Sequence, residues 1–166
     1  MKSINVVVTS AGGIVAQGII KSLKYHNKYA RPKRYEYKIF ATDISYEAAG
    51  LYRAHKFSLI PKPTAKEYLN SVIDLCNRNK IQVLFIGSDV ELSTLCSNKE
   101  YIEEKTGAVV ITSQPRVVEM CRDKYKTNLF LQNNNLNSIP TCLYHEVGDF
   151  MKDNKFPLVV KPREGF

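Results

Sequence analysis

Hydrophobic residues in the first two-thirds of the chain follow two different spacings. Runs of consecutive, mostly β-branched apolar residues are typical of buried strands, whereas apolar residues three or four positions apart are typical of helices. The predicted strands cover residues 4–9, 37–42, 57–60, 81–86 and 107–112, and the main predicted helices cover residues 14–25, 68–76 and 92–102. Strands separated by helix-length segments imply right-handed crossovers and a mostly parallel sheet with helices on both faces. Residues 1–112 are therefore predicted to form a Rossmann-like, three-layer α/β domain.

The pattern changes after residue 112. A short helix is predicted to start at Ser113-Gln114-Pro115, a second at residues 124–133, and a helical turn at residues 147–151. Residues 156–162 are apolar enough to predict a strand, which leads into the last residues of the chain. Because nothing follows that strand to pair with it, we expect residues 113–166 to be the truncated start of a second, α+β domain.

Composition narrows the class of protein. With 44% hydrophobic residues and a net charge of +8, the chain has the balance of a globular protein rather than a disordered one. No apolar run approaches the roughly 18 residues of a membrane span, and the N-terminus does not resemble a signal peptide. The cysteines form no CxxC pair and predict neither a zinc site nor a dense disulfide framework; they are Cys76, Cys96, Cys121 and Cys142. A cytoplasmic protein without a membrane partner is expected.

The positive charge is concentrated in residues 21–38. Seven basic residues there face a single acid, Glu36, so this segment carries +6 of the net +8. Tyrosines interleave with the bases, which would suit nucleic-acid phosphates and stacked bases, or an acidic partner. The alternative is a solvated helix end and connector, and we favour it because no nucleic-acid-binding signature accompanies the segment.

Glycines follow the first predicted strand. Gly12 and Gly13 would let the backbone approach a ligand while the following helix offers free amides to an anion, and Gly18 would let that helix pack closely on the sheet. The spacing is G-G-x-x-x-x-G rather than the dinucleotide fingerprint G-x-G-x-x-G. Asp43, at the end of the second strand, stands where a ribose-binding acid would be. An NAD(P)-binding oxidoreductase or epimerase domain therefore remains an alternative.

Two further spacings are typical of helix starts. Ser88 and Glu91 follow the fourth strand, where open α/β sheets bind ligands, so Glu91 is a candidate substrate-directed carboxylate. The same pair has the S-x-x-E spacing of a capping box, and both roles can hold together. Thr64 and Glu67 predict a second capping box, before the helix at residues 68–76.

Two lysines form the third candidate site. Lys124 opens a predicted helix, and Lys161 lies at the end of the apolar segment 156–162, before a glycine-containing turn. A lysine at such a position is costly to bury without an anion, and two on neighbouring elements would neutralise a polyphosphate. Either lysine alone would be read as an ordinary surface residue.

Taken in order, these motifs resemble a known family. The glycine turn is followed by Gly50-Leu51-Tyr52-Arg53-Ala54, by Gly87-Ser88-Asp89-Val90-Glu91-Leu92, by Asp123-Lys124-x-x-Thr127 and by Phe156-Pro157-Leu158-Val159-Val160-Lys161-Pro162-Arg163. The whole chain is similar to the N-terminal part of ATP-grasp proteins, most of all the carbamoyl-phosphate synthase large-subunit-like group. Residues 1–112 would be the pre-ATP-grasp domain and residues 113–166 the beginning of the ATP-grasp domain.

The resemblance implies ATP-dependent ligation. A carboxylate or bicarbonate would be phosphorylated to an acyl phosphate, which an amine or a similar nucleophile attacks. Lys124 and Lys161 match the two basic residues that contact ATP, and Gly12, Gly13, Ser88 and Glu91 are weaker candidates for binding the acceptor. ATP and Mg²⁺ are implied for the complete protein, but no metal ligand or catalytic residue is assigned in this chain. We therefore expect it to be inactive alone and to need a C-terminal half or a second copy as partner.

Overall fold

The structure is a computed structural model that describes residues 2–165. The chain divides into two compact units, Met1–Ser113 and Gln114–Phe166. Among the described residues, none of the helices has the length and apolar character that crossing a bilayer requires.

The first unit contains a parallel sheet with five strands among the described residues. Their order is β3-β2-β1-β4-β5, and every neighbouring pair is parallel. The strands are β1 (Lys2–Val8), β2 (Tyr35–Asp43), β3 (Lys56–Leu59), β4 (Val83–Phe85) and β5 (Val109–Ile111). The helices are α1 (Ile14–Tyr29), α2 (Tyr68–Arg78), α3 (Asp89–Ser97) and α4 (Lys99–Thr106), with a 3-10 turn at Leu51–Arg53. The predicted α/β fold with a mostly parallel sheet is confirmed.

Two hydrophobic cores lie on opposite faces of this sheet. Successive side chains of a strand point to opposite faces, so Val7 packs in one core while Val6 and Val8 pack in the other. The core around Val7 includes Tyr68 and other apolar residues of α2, and the core around Val6 and Val8 includes Ile20 of α1. Helices thus cover both faces, which gives the three layers that the sequence predicts.

Three local predictions for this unit are wrong. The helix expected over residues 92–102 is two helices, because Asn98 ends α3 with hydrogen bonds from its backbone and side-chain amides to the carbonyl of Thr94. The capping box at Thr64 and Glu67 does not form, since two successive turns precede α2 and Glu67 makes no side-chain capping bond. Gly18 does not mediate close packing, because a Cβ placed there would meet nothing within 4 Å.

The second unit is helical in its described part. It contains α5 (Pro115–Arg122), α6 (Lys124–Asn133), a 3-10 turn at Tyr144–Glu146, and α7 (Val147–Asp153). The predicted helix at residues 124–133 is confirmed residue for residue. The predicted strand at residues 156–162 is not, because the segment pairs with no other strand among the described residues and Val160 remains 95% exposed. A β-ladder needs a partner whose amides and carbonyls face its own.

Candidate functional site

The strand order of the first unit places a crevice between β1 and β4. These strands are neighbours, yet the chain passes from β1 to β2 and β3 on one side before returning to β4 on the other. In open α/β sheets, ligands bind at the carboxyl ends of the strands where the order reverses. The loops after β1 and β4, residues 9–13 and 86–88, leave the sheet at this point.

Two glycines allow the loops at this edge to approach one another closely. A Cβ on Gly87 would lie 2.0 Å from the carbonyl oxygen of Thr9, and one on Gly50 would lie 1.9 Å from that of Ala11. No side chain fits at either distance, so these glycines set the shape of the crevice. Sequence reasoning gave neither of them a packing role. Gly87 directly follows the fourth predicted strand, and that position was a usable signal.

The glycine turn itself is held by Asp43. Asp43 Oδ2 accepts a hydrogen bond from the Gly12 amide at 2.8 Å, and Oδ1 accepts bonds from the amides of Ile44 and Ser45 at 2.8 and 3.2 Å. In a dinucleotide site the loop amides face the pyrophosphate and the acid faces the ribose. Because the Gly12 amide and Asp43 bind each other here, the geometry disfavours the NAD(P) alternative.

Beneath the crevice lies a buried hydrogen-bond network around Glu91. This carboxylate is 2% exposed; Oε2 accepts a bond from the Thr9 hydroxyl at 2.6 Å, and Oε1 accepts one from the Tyr68 hydroxyl at 2.7 Å. The Gly87 amide donates to Thr9 Oγ1 at 3.2 Å. Burial and the neighbouring Glu91 raise the pKa of Tyr68, which keeps its hydroxyl protonated as a donor. The network joins the loops after β1 and β4 to the starts of α2 and α3.

The network changes the expected role of Glu91. Its carboxylate points into the unit, with a hydroxyl on each oxygen, and not toward a ligand at the surface. For the same reason Glu91 does not complete the predicted capping box, of which only the Ser88 half forms: Ser88 Oγ accepts a bond from the Val90 amide at 3.3 Å. The geometry assigns Glu91 the task of positioning the crevice loops.

Gly12, Gly13 and Ser88 lie at the open edge and stay predicted acceptor contacts, but the Gly12 amide donates to Asp43 and the Gly13 amide to the Ser10 carbonyl at 2.9 Å. Gly13 is the N-cap residue of α1, whose first turn contains no acidic residue, so its free amides can serve an anion. Ile14 is 91% exposed beside Gly13, and Val90 is 63% exposed in the first turn of α3. Apolar side chains therefore flank a crevice whose floor is polar.

The second unit contains the segments that carry the two lysines. Asp123, 3% exposed, caps α6: its Oδ1 accepts bonds from the amides of Tyr125 and Lys126 at 2.9 and 3.2 Å. Arg163 Nε donates to Oδ1 at 3.2 Å, and the Arg163 terminal nitrogen bonds Oδ2. The bond from Arg163, helped by the two amides, lowers the pKa of Asp123 to about 2.

Lys124 makes two further bonds to the same segment. Its backbone amide donates to the Arg163 carbonyl at 2.9 Å, and its Nζ donates to the Gly165 carbonyl at 2.7 Å. Lys161 is exposed and lies two residues before Arg163. The structure therefore brings together the two segments that carry the lysines. Their assignment to ATP phosphates remains a prediction.

The described residues offer no fitting site for Mg²⁺. No group of three or more histidine, cysteine, aspartate or glutamate side chains within residues 2–165 is placed to hold a metal ion. Mg²⁺ prefers octahedral oxygen ligands, and the buried carboxylates of Glu91 and Asp123 are each occupied by protein donors.

The basic segment 21–38 lies at the other edge of the sheet. It spans the end of α1 and the start of β2, away from the carboxyl ends of the strands. Several of its charges have partners within the chain: Lys24 Nζ donates to the Arg53 carbonyl at 3.1 Å, and Lys33 pairs with Glu36 at 3.2 Å. These contacts agree with a solvated connector, and nucleic acid is not required to explain them.

The parallel sheet and its strand reversal define the class: a Rossmann-like α/β domain. Residues 7–111 match the family model described as PylC-like, N-terminal domain. The match covers more than half of the chain, which therefore belongs to that family. A comparison with curated proteins gives no significant match.

Solved structures share the fold at low sequence identity. N5-carboxyaminoimidazole synthetase from Staphylococcus aureus, complexed with ADP, matches with a TM-score of 0.66 at 15% identity over 100% of this chain and 40% of its own. L-amino acid ligase from Bacillus licheniformis matches with a TM-score of 0.63 at 17% identity over 99% of this chain and 38% of its own. The biotin carboxylase domain of 2-oxoglutarate carboxylase from Hydrogenobacter thermophilus matches with a TM-score of 0.59 at 17% identity. This match covers 92% of this chain and 33% of its own.

The family match, together with these neighbours, confirms the resemblance to the N-terminal part of ATP-grasp enzymes. The chain spans about two-fifths of the length of the first structures that it matches. At this level of identity the likeness shows the fold alone.

Proposed function

We propose that this chain forms the N-terminal part of an ATP-dependent ligase that activates a carboxylate as an acyl phosphate. A carboxylate oxygen attacks the γ-phosphorus of ATP, ADP leaves, and an amine then attacks the acyl carbon and expels phosphate. Membership of the PylC-like N-terminal family and the fold of the ADP-complexed synthetase support this class of reaction. The observation that carries the proposal is the junction of the Lys124 and Lys161 segments.

The two lysines would bind the phosphates of ATP. Phosphoryl transfer depends on positioning and on stabilising charge, and each lysine supplies a compact positive charge. Lys124 Nζ already donates to the Gly165 carbonyl, and an ammonium group has two further donors for phosphate oxygens. Lys161 stands exposed on the adjoining segment, and its side chain would bind the same phosphates.

The acceptor would bind at the crevice of the first unit. The first turn of α1, which follows Gly13, offers backbone amides to an anion, and the Ser88 loop forms the opposite side. The exposed side chains of Ile14 and Val90 beside these loops favour a carboxylate that carries a hydrocarbon part. Bicarbonate has no apolar surface to bury against them, so we place it second.

An NMR titration of the ¹⁵N-labelled chain with ATP tests the nucleotide site, since shift changes report even millimolar affinity. Lys124→Ala and Lys161→Ala are each expected to weaken ATP binding about tenfold, the loss of one charge-assisted contact. Lys155→Ala, which removes an exposed lysine of the same unit, is the matched control and should leave the affinity unchanged. Equal affinity in all three variants would contradict the site.

A further inference from the structure

Residues 163–165 bind the start of α6 through three links, and Glu164 adds an ion pair with Arg122, the last residue of α5, at 3.8 Å. The Arg163 guanidinium binds the Asp123 carboxylate, the Arg163 carbonyl accepts the Lys124 amide, and the Gly165 carbonyl accepts the Lys124 ammonium. We call this arrangement of residues 163–165 with Asp123 and Lys124 the clasp. The guanidinium–carboxylate pair joins residues 40 positions apart in sequence.

The clasp depends on arginine chemistry. Asp123 is buried as the cap of α6, and a buried carboxylate without a cation is costly, so Arg163 acts as its counter-ion. The planar guanidinium binds the two carboxylate oxygens from two separate nitrogens, a paired contact that the single nitrogen of a lysine does not make. It also lies over the Tyr125 ring, 5.7 Å from the centroid, so the same group contacts the first turn of the helix twice.

The clasp is also what fixes the segment that carries Lys161. Residues 156–162 pair with no strand among the described residues, and Val159 and Val160 are exposed. The links that begin two residues after Lys161 therefore set where this lysine stands relative to Lys124. An unfastened segment would have to be ordered when a ligand binds, at a cost in conformational entropy.

We propose that Arg163 is a positioning residue that holds Lys161 beside Lys124 before nucleotide binds. The inference rests on the proposed function and adds to it a residue that touches no phosphate. Because clasp closure and nucleotide binding favour the same arrangement, each strengthens the other. Removing the Arg163–Asp123 pair then weakens ATP binding while both lysines are intact.

The Lys124 amide reports the state of the clasp directly. Lys124 is the first residue of α6, so its amide has no partner within the helix and is protected from hydrogen exchange only by the Arg163 carbonyl. Exchange at this amide and ATP affinity are measured by NMR on the same samples of the full chain. The variants are Arg163→Gln, Arg163→Lys, Asp123→Asn and Lys161→Ala, with Arg116→Gln as the control for an exposed arginine.

Arg163→Gln and Asp123→Asn are expected to speed exchange at Lys124 and to weaken ATP binding about fivefold or more. Arg163→Lys keeps the positive charge but not the paired contact with both carboxylate oxygens. It should therefore retain part of the protection of the Lys124 amide and part of the ATP affinity. Lys161→Ala should weaken binding with exchange unchanged, and Arg116→Gln should change neither. Unchanged α6 chemical shifts show that each variant is folded.

Three results would overturn the inference, and they are distinguishable. Rapid exchange of the Lys124 amide in the unaltered chain would show that the clasp is open. Faster exchange in Arg163→Gln with unchanged ATP affinity would remove the positioning role and leave the proposed function standing. No ATP binding by the unaltered chain, with Lys124 protected, would contradict the proposed function, and the inference would fall with it.

Discussion

The Glu91 carboxylate accepts a hydrogen bond from the Thr9 hydroxyl at 2.6 Å, across 82 positions of sequence. This bond joins the loop after β1 to α3 beside the crevice of the first unit, and Tyr68 completes the link from α2. The crevice therefore has a floor built from side chains of three separate elements. Its shape depends on residues that a ligand would not touch.

Removing Glu91 should destabilise the first unit strongly. Glu91→Ala leaves the buried Tyr68 hydroxyl without its acceptor, leaves the Thr9 hydroxyl only the Phe85 carbonyl at 3.4 Å, and opens a cavity. We expect a loss of about 3 kcal/mol or more in the free energy of unfolding. Glu91→Gln keeps one oxygen acceptor and the size of the side chain, so its loss should be smaller. Urea unfolding measures both. Glu100→Ala, at an exposed position of α4, is the control, and an equal effect there would count against the network.

Replacing Gly87 and Gly18 by alanine should change the stability of the protein in opposite directions. At Gly87 a Cβ would lie 2.0 Å from the Thr9 carbonyl oxygen and 2.6 Å from Ala16 Cβ, so the loop must shift and stability falls by about 2 kcal/mol or more. At Gly18, within α1, nothing lies within 4 Å, so alanine should raise stability by up to about 1 kcal/mol. Thermal unfolding of both variants tests these two expected changes in stability. A stable Gly87→Ala protein would contradict the close approach of the loops.

Asp123 should make the second unit sensitive to acid. Its pKa is lowered from 3.8 to about 2, chiefly by the hydrogen bond from Arg163, so the folded state binds the proton less readily than the unfolded state. The stabilisation is therefore fully present above about pH 5 and is lost as the pH falls through 4 toward 2. Asp123→Asn keeps a capping oxygen but should lose this pH dependence.

Unfolding followed through the NMR signals of α6 between pH 6 and 2 measures the effect. Asp149→Asn, at an exposed carboxylate of α7, should keep the dependence of the unaltered chain. The same slope in Asp123→Asn and in the unaltered chain would show that the Arg163 pair is absent in solution.

The cysteines should differ widely in reactivity. Burial raises the pKa of the Cys76 thiol to about 12, and Cys96 is also buried, whereas Cys121 is exposed. Because the thiolate is the reactive form, iodoacetamide at pH 8 should label Cys121 first and leave Cys76 unlabelled until the chain unfolds. Peptide mass spectrometry after timed labelling identifies the sites. Labelling of Cys76 at the rate of Cys121 would contradict the packing of α2 on the sheet.

The parallel sheet could be predicted because its strands are β-branched runs whose pattern does not depend on distant residues. The run at residues 4–9 predicted β1, which spans Lys2–Val8. The helix predicted over residues 124–133 is α6, and the Asp123 cap explains why it starts there. The direction of the Glu91 side chain could not be predicted. Whether it faces a ligand, its own helix or the interior depends on Thr9 and Tyr68, which only the fold brings close.

The roles of the glycines could not be predicted from the sequence either. Gly18 has the spacing of a packing glycine but lies on the exposed side of α1. Gly50 and Gly87 are critical because backbone oxygens lie 1.9 and 2.0 Å from where a Cβ would be. The strand predicted at residues 156–162 does not form for a related reason. An extended, apolar segment becomes a strand only where another strand lies beside it.

Labelling with an ATP analogue that carries an acyl group on its γ-phosphate tests the central claim most directly, because it transfers the acyl group to lysines that contact the phosphates. The account predicts acylation concentrated at Lys124 and Lys161 and suppressed by excess ATP. Acylation spread evenly over the exposed lysines, with no effect of ATP, would contradict it.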